Sequence, residues 1–331
     1  MAKKKKRFRI QKFFYSLRYR IGEYCLRGFV FLLPLTPRPW LARLTSLGAR
    51  LTFAILWKYR RRMEENLSLA MREEFPSLEK RKSVVWKAWR NFARGMCETT
   101  CSVYHSKEEI LSAIGIQGEE HLQSALKQGK GVIALSAHLG NFTMIGPRLA
   151  ACGYPFSAVV KQPKDQRFAR LIDEYRGRVG VKTISAKPRR EAARQILKAL
   201  RRNEVVLMVA DEFKSGGVEV EFLGRTASAP RGPVTLALRA GASVVPMFLT
   251  RDQEDRLTLH IWPEIDFVKS GDLQQDVNSN VALFTQELES MVRRYPDQWN
   301  WLGFHRDGRR LRGEIGVSKF ADSVERGPTS L

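Results

Sequence analysis

Short runs of uninterrupted apolar residues recur along the chain, at residues 131–137, 157–160, 205–210 and 243–249. Between them lie segments with apolar residues at helical spacing, at residues 167–177, 189–202 and 233–240. A strand that is apolar at every position is buried on both faces, so this alternation predicts an α/β fold with helices covering the sheet. Because such sheets bind ligands beyond the carboxyl ends of their strands, functional residues are expected directly after each apolar run.

The stretch before the first apolar run has a helical pattern. Residues 63–71 are periodic, Pro76 interrupts the pattern, and Ser77 then precedes residues 80–94, whose apolar positions recur every three or four residues. Residues 110–130 continue the periodicity. The pattern therefore predicts helices from about residue 62 to residue 130.

Length and composition limit the class of protein. The chain has 331 residues, 44% of them hydrophobic, which is enough for a substantial core and excludes a disordered or collagen-like protein. We predict three regions: a basic and aromatic anchoring region at 1–60, a single α/β domain at 61–310 and a polar tail at 311–331. The four cysteines, which form no C-x-x-C pair, favour a reducing compartment over a disulfide scaffold or a zinc site.

The positive charge is concentrated at the amino-terminal end. Of a formal net charge of +23, residues 1–62 carry +16, with Glu23 as their single acidic residue. Aromatic and aliphatic residues alternate with these cations, a combination typical of a segment that lies in the interface of an anionic membrane. Pro34, Pro37 and Pro39 cut the apolar run short of the about 20 residues that a membrane-spanning helix needs. A monotopic anchor is thus predicted, with a solvated tail or a nucleic-acid-binding arm as the alternatives.

Candidate catalytic chemistry follows the first apolar run. His138 stands directly after it, beside a Gly-Asn turn, and an imidazole with a near-neutral pKa suits a general base. A structural histidine is the alternative interpretation. Other polar residues follow the later runs, with Lys161 after the second and Asp211 after the third, while Arg231 precedes the helix at 233–240.

Several blocks in a fixed order resemble the bacterial lipid A late acyltransferases, which transfer lauroyl and myristoyl chains and belong to the lysophospholipid acyltransferase superfamily. The blocks are Ala137-His-Leu-Gly-Asn-Phe142, Val160-Lys-Gln-Pro163, Asp211, Gly217-Val-Glu-Val-Glu-Phe-Leu-Gly224, Arg231-Gly-Pro233 and Pro296-Asp-Gln-Trp299 with Trp301. The resemblance implies a glycerolipid acyltransferase-like mixed sheet flanked by helices, with a helical, basic membrane-associating region. It also implies an enzyme at the cytoplasmic face of the inner membrane that moves a fatty acyl chain from acyl carrier protein, or from CoA, to a glycolipid hydroxyl.

The chain departs from that family at one position. The family signature has a carboxylate five residues after the histidine, where this chain has Thr143. A histidine base needs a group that fixes its tautomer and stabilises the imidazolium, and a threonine offers no counter-charge. Glu219 is the first candidate to supply one, because its block resembles a glutamate-bearing block of mannoside acyltransferases, and Asp211 is the second. A solvated edge strand is the alternative interpretation of Glu219.

These residues suggest direct transfer without an acyl-enzyme. His138 would deprotonate the acceptor hydroxyl, which attacks the thioester carbonyl while donors near Asn141 stabilise the oxyanion. Predicted substrate-binding residues are Asn141, Thr143, Lys161, Arg178 and Arg231. Neither a metal nor a nucleotide cofactor is expected, since the chain contains no P-loop, G-x-G-x-x-G or H-E-x-x-H motif.

Alternative functions remain open at this level. The acceptor could be a phospholipid or an aminolipid, because no feature of the sequence indicates that the protein recognises a sugar. The loss of the acid at Thr143 would also suit a catalytically dead lipid-binding homologue. A nucleic-acid binder is disfavoured because no nucleic-acid-binding motif accompanies the charge.

Overall fold

The computed structural model describes residues 2–213 and 216–303, with side chains from residue 17 onward except that of Arg38. Its α-helices are α1 (Ala2–Leu32), α2 (Arg38–Ile55), α3 (Trp57–Ala70), α4 (Leu78–Cys101), α5 (Lys107–Ala113), α6 (Glu119–Lys127), α7 (Ile145–Ala151), α8 (Gln166–Arg178), α9 (Arg189–Arg201), α10 (Gly232–Ala240) and α11 (Leu273–Arg294). Its strands are β1 (Ile114–Gln117), β2 (Val132–Ser136), β3 (Phe156–Val160), β4 (Val181–Ser185), β5 (Val205–Val209), β6 (Val218–Glu221), β7 (Thr226–Ala229), β8 (Ser243–Arg251) and β9 (Leu257–Ile261).

A mixed seven-stranded sheet forms the centre of the molecule, in the order β1-β9-β8-β2-β5-β3-β4. Strands β8, β2, β5, β3 and β4 are mutually parallel, whereas β9 runs antiparallel to β8 and pairs in parallel with β1. β6 and β7 form a separate antiparallel pair. The α/β fold class predicted from the apolar runs is confirmed, with the mixed sheet flanked by helices.

Both faces of the sheet are buried, which explains why its central strands are apolar throughout. On β2, Ile133 and Leu135 pack into a core shared with α3, α4, α9, α10 and α11. Val132 and Ala134 on the same strand point the other way, into a core shared with α6 and α7. All five residues of β2 are buried.

The predicted helix over residues 110–130 is wrong in its middle. Residues Ile114–Gln117 form β1, and Gly118, at φ 79°, turns the chain into α6. Pairing with β9 along the register Ile114↔Leu257 to Gln117↔His260 overrides the local helical periodicity. The helix expected after Ser77 is α4, and the Ser77 side chain caps it by accepting a hydrogen bond from the Lys80 N–H.

The amino-terminal helices lie against the domain. α2 packs on α4, and α1 contacts α8 through the rings of Tyr19 and Phe168, whose centroids are 5.7 Å apart. Among the described residues, no helix combines the length and the apolar character that crossing a membrane requires. The predicted tail at 311–331 lies outside the described residues, as do the side chains of the basic tip at 1–16.

Candidate active site

His138 and Asp211 follow two neighbouring parallel strands at the same distance. The register of β2 and β5 pairs Ser136 with Val209, and the Ala210 N–H donates to the Ser136 carbonyl oxygen. Continuing that register by two residues sets His138 beside Asp211 at the carboxyl edge of the sheet. The pairing therefore comes from strand register, and it joins residues 73 positions apart.

The carboxylate of Asp211 is buried and receives three donors. His138 Nδ1 lies 2.7 Å from Oδ1, while the His138 backbone N–H and Trp299 Nε1 donate to Oδ2 over 2.8 and 2.9 Å. Because an ionised carboxylate only accepts, it fixes the proton on Nδ1 and makes Nε2 the basic ring nitrogen. The His138 side chain is 31% exposed and Asp211 only 3%, so the imidazole is partly accessible to solvent whereas the carboxylate that orients it is not.

The ranking of Glu219 ahead of Asp211 does not match this geometry. On β6, Val218 and Val220 are buried whereas Glu219 and Glu221 are exposed, and Glu219 lies opposite Ser228 of β7. The carboxylate on the Nδ1 of His138 is that of Asp211. Glu219 instead fits the edge-strand interpretation that its alternation with valine allowed.

Thr143 belongs to a polar network beside the histidine loop. Its hydroxyl donates to Asn141 Oδ1 over 2.9 Å and lies 2.5 Å from the Thr99 hydroxyl on α4. Asn141 Nδ2 in turn donates to Glu98 Oε2 over 2.8 Å. One amide hydrogen of Asn141 is therefore engaged with α4, and the position where the family carries an acid is linked through Asn141 to a carboxylate from a distant helix.

Glu98 is the acidic residue that sequence reasoning missed. Arg251, at the end of β8, donates through Nη2 to both Glu98 carboxylate oxygens, over 2.5 and 2.6 Å, and its own side chain is 9% exposed. A second charge pair on α4 joins Arg94 to Asp255, and the hydrogen bond from Arg94 lowers the pKa of that aspartate. No local pattern in the sequence distinguishes Glu98 from other helical glutamates.

The loop at 138–141 is held from two sides. Gly140 N–H donates to the Gln298 carbonyl over 2.8 Å, Asn300 N–H donates to the His138 carbonyl over 3.0 Å, and Asn141 N–H donates to the Leu249 carbonyl over 3.0 Å. Gly140 has φ 59°, and a Cβ there would overlap the Leu249 carbonyl oxygen. The Pro296 to Trp299 block thus positions this loop, and its tryptophan holds Asp211.

The predicted cationic residues separate into two places. Lys161 follows β3 and is exposed at the carboxyl edge of the sheet, the edge that carries His138. Arg231 is exposed before the first turn of α10, and its Nη2 donates to Gln274 Oε1 in the first turn of α11 over 2.9 Å. Arg178 is at the far end of α8, at the opposite edge, where it pairs with Glu174 over 2.8 Å. The structure therefore does not bring Arg178 to the site, because the 13-residue helix carries it about 20 Å away.

Two thiols lie on the same helix as Glu98. Cys97 and Cys101 lie four residues apart on one face of α4, their Sγ atoms are 3.9 Å apart, and both residues are half-buried. The hydrogen bond from Cys101 lowers the pKa of Cys97 to about 6, against the opposing effect of its partial burial.

Comparison with known proteins places this α/β chain among the acyltransferases. The family model for bacterial lipid A biosynthesis acyltransferases matches residues 7–306, and the chain belongs to that family. A phosphatidylinositol mannoside acyltransferase of Mycolicibacterium smegmatis is 28% identical over 200 residues, which is 58% of this chain and 64% of that protein. The corresponding Mycobacterium tuberculosis protein is 27% identical over 60% of this chain and 63% of its own.

A lipid A biosynthesis acyltransferase of Haemophilus influenzae is 24% identical over 250 residues, which is 74% of each chain. The chain spans a little under two thirds of the length of the mannoside acyltransferases that it matches. The resemblance seen in the sequence blocks is thus confirmed at the level of the family.

Substituting Gly140 with alanine should destabilise the histidine loop. The left-handed backbone costs about 1 kcal/mol for alanine, and displacing the Leu249 carbonyl adds to that cost and shifts His138. Gly153→Ala is the matched control, because Gly153 has φ 91° and nothing lies within 4 Å of the added Cβ. Urea unfolding and acyl-transfer rates compare the two variants. Equal stability of both would show that the close approach at Gly140 does not matter.

Replacing Glu98 with glutamine should lower the free energy of unfolding by about 2 kcal/mol, because the buried guanidinium of Arg251 loses its principal counter-charge. Glu174→Gln breaks the exposed pair with Arg178 and should change stability by less than about 0.5 kcal/mol. Denaturant titration measures both. A loss for Glu98→Gln no larger than that of the surface control would contradict a structural role for the Glu98 charge.

Proposed function

We propose that the protein transfers a fatty acyl chain from a thioester donor to a hydroxyl of a lipid A precursor or a related glycolipid, with His138 as general base. The observation that carries this proposal is the imidazole held by the buried Asp211 carboxylate at the open edge of the sheet. Family membership supplies the reaction type.

The geometry suits a direct transfer. Nε2 of His138 takes the proton of the acceptor hydroxyl as its oxygen attacks the thioester carbonyl. The tetrahedral intermediate then collapses with cleavage of the carbon–sulfur bond, and the departing thiolate receives the proton from the imidazolium. Asp211 stabilises the imidazolium in between and keeps the ring in the productive tautomer.

Asp211 also weighs against a catalytically dead homologue. That alternative rested on the absence of an acid at Thr143, which would leave the histidine without a counter-charge. Because β5 delivers a carboxylate to Nδ1, the ring has one regardless of the residue at position 143.

A glycolipid acceptor is favoured over a phospholipid or an aminolipid. The mycobacterial relatives are named phosphatidylinositol mannoside acyltransferases, and the Haemophilus relative is named a lipid A biosynthesis acyltransferase. Both names refer to glycolipids. Lys161 is exposed at the same edge of the sheet as His138 and suits a phosphate group of an anionic glycolipid.

Acyl carrier protein is the proposed donor, and CoA is the alternative. α9 buries Ala192, Ile196 and Leu200 and exposes a row of cations on its other side. The exposed cations of this row are Arg190, Arg194, Lys198 and Arg201. Since α9 begins at the carboxyl edge of the sheet, this row leads toward the site and would steer an acidic protein there.

We also propose that the protein acts as a peripheral protein at the cytoplasmic face of the inner membrane. The cationic character of residues 1–62 and the exposed apolar residues of α1 and α2 support this location.

His138→Ala should reduce acyl transfer by roughly a thousandfold or more, because no base remains to deprotonate the acceptor. Asp211→Asn should reduce kcat by a similar factor, since an amide favours the wrong imidazole tautomer. Glu219→Gln, which changes an exposed carboxylate, is the matched control and should turn over like the wild type.

Rates come from thioester consumption with a lipid A precursor. A wild-type turnover rate for His138→Ala would contradict the assignment of His138 as the general base. A loss for Glu219→Gln equal to that for Asp211→Asn would return the positioning role to Glu219.

Reversing three charges on α9, with Arg190→Glu, Lys198→Glu and Arg201→Glu, should raise KM for acyl carrier protein thioesters at least about tenfold. KM for acyl-CoA should stay unchanged. The control reverses Lys80, Lys82 and Lys87, which are equally exposed on α4. Equal KM increases for both donors, or none, would exclude α9 as the carrier-protein surface.

A further inference from the structure

One face of α2 exposes a continuous row of large apolar side chains. Trp40, Leu44, Leu47, Leu51 and Ile55 follow one another at spacings of four, three, four and four residues, and each is 52–71% exposed. Such spacing sets them along a single face of the helix, about 27 Å long for its 18 residues. Contiguous exposed apolar surface of this size marks an interaction site.

The other face of α2 is already packed, so the helix has a fixed orientation. Ala49 is buried, and the Phe53 ring lies 5.0 Å from that of Trp86 and 5.8 Å from that of Trp89, both on α4. Trp89 Nε1 also donates to the Thr52 hydroxyl over 3.1 Å. The apolar row is therefore held outward by the packing of α2 on α4.

The charges around the row identify what covers it. Residues 24–63 contain no aspartate or glutamate, and exposed Arg43, Arg50 and Lys58 flank the apolar face. Arg43 lies 5.6 Å from the Trp40 ring centroid and Lys58 lies 5.6 Å from that of Trp57, so a cation accompanies an aromatic ring at each end. In a bilayer with anionic headgroups, aromatic rings favour the headgroup level, apolar side chains favour the acyl boundary, and cations bind the negative headgroups. This face of α2 presents all three kinds of residue, so it matches the surface of an anionic bilayer.

A second copy of this chain fits the row poorly. Self-association would bring Arg43, Arg50 and Lys58 against the same cations of the other copy, with no acidic residue of this segment to compensate them. A lipid surface with negative headgroups satisfies both the apolar residues and the charges.

We infer that the exposed face of α2 lies flat on an anionic bilayer, with Trp40 and Trp57 at headgroup depth and Leu44, Leu47 and Leu51 in the acyl boundary. This deepens the proposed function and rests on it only in that the acceptor is a membrane lipid. α4 connects the docked helix to the site, because the same helix packs on α2 and carries Glu98.

The test variant carries Leu44→Gln, Leu47→Gln and Leu51→Gln, none of which touches the catalytic residues. Cosedimentation with phosphatidylcholine vesicles containing phosphatidylglycerol should show at least about tenfold weaker binding than wild type at both low and high salt. The matched control places glutamine at Leu78, Val268 and Leu273, which are exposed apolar residues elsewhere, and should bind like wild type. Circular dichroism establishes that all three proteins are folded.

A second variant separates apolar from electrostatic contact. Arg43→Gln with Arg50→Gln should weaken binding at low salt and match wild type at high salt, and wild type should bind vesicles of phosphatidylcholine alone more weakly than the anionic ones. Undiminished binding by the leucine variant would overturn the inference. So would a wild-type dimer that this variant dissociates without changing vesicle binding.

Activity measurements keep this inference distinct from the proposed function. With a detergent-dispersed acceptor the leucine variant should keep the wild-type kcat, whereas with a vesicle-embedded acceptor its rate should fall with its binding. Wild-type protein that binds vesicles through α2 but transfers no acyl chain from either donor would overturn the proposed function and leave the docking surface in place.

Discussion

The buried carboxylate of Asp211 is the interaction on which the candidate site depends. A carboxylate that is only 3% exposed requires compensation, and here the donors are the His138 ring, the His138 N–H and the Trp299 indole. These groups come from the ends of β2 and β5 and from the segment after α11, so one charge joins three separate parts of the chain. The imidazole is oriented because it is one of the donors that keep this charge satisfied.

A second carboxylate, that of Glu98, stabilises the loop that contains Asn141, whereas Asp211 binds the histidine ring. Glu98 binds Arg251 and Asn141, while Gln298 exchanges hydrogen bonds with the backbone of Arg251 over 2.9 and 2.7 Å. These hydrogen bonds link the end of β8 to the middle of the histidine loop and to the C-terminal half of α4. This division of work between two acids explains how a threonine can occupy position 143: Asp211 supplies the charge beside the ring, and Glu98 supplies the charge beside Asn141.

Local features were predictable from the sequence, and pairings between distant segments were not. The apolar runs predict buried strands, and the place of His138 directly after such a run predicts its position at a strand end. Both predictions depend only on residues that are neighbours in the sequence. The choice of Asp211 over Glu219 depends on the register between β2 and β5, which no local pattern encodes. β1 was missed because a four-residue strand paired with β9 contradicts its own helical surroundings, and Glu98 because its partners lie 43 and 153 positions away.

The distribution of charge around apolar surface distinguishes two basic helices of this protein. α2 combines its cations with five large exposed apolar residues, whereas the exposed row of α9 is cationic and its apolar residues face the core. Apolar side chains beside cations gain free energy by entering a bilayer, while cations alone attract a soluble acidic partner without inserting. A lipid surface at α2 and a carrier protein at α9 would then bring acceptor and donor from different directions. α4 lies along the first of these paths, because it packs on α2 and also contacts the histidine loop. Gly95 on α4 leaves room for the side chain of Asn141: a Cβ at position 95 would lie 3.3 Å from that side chain.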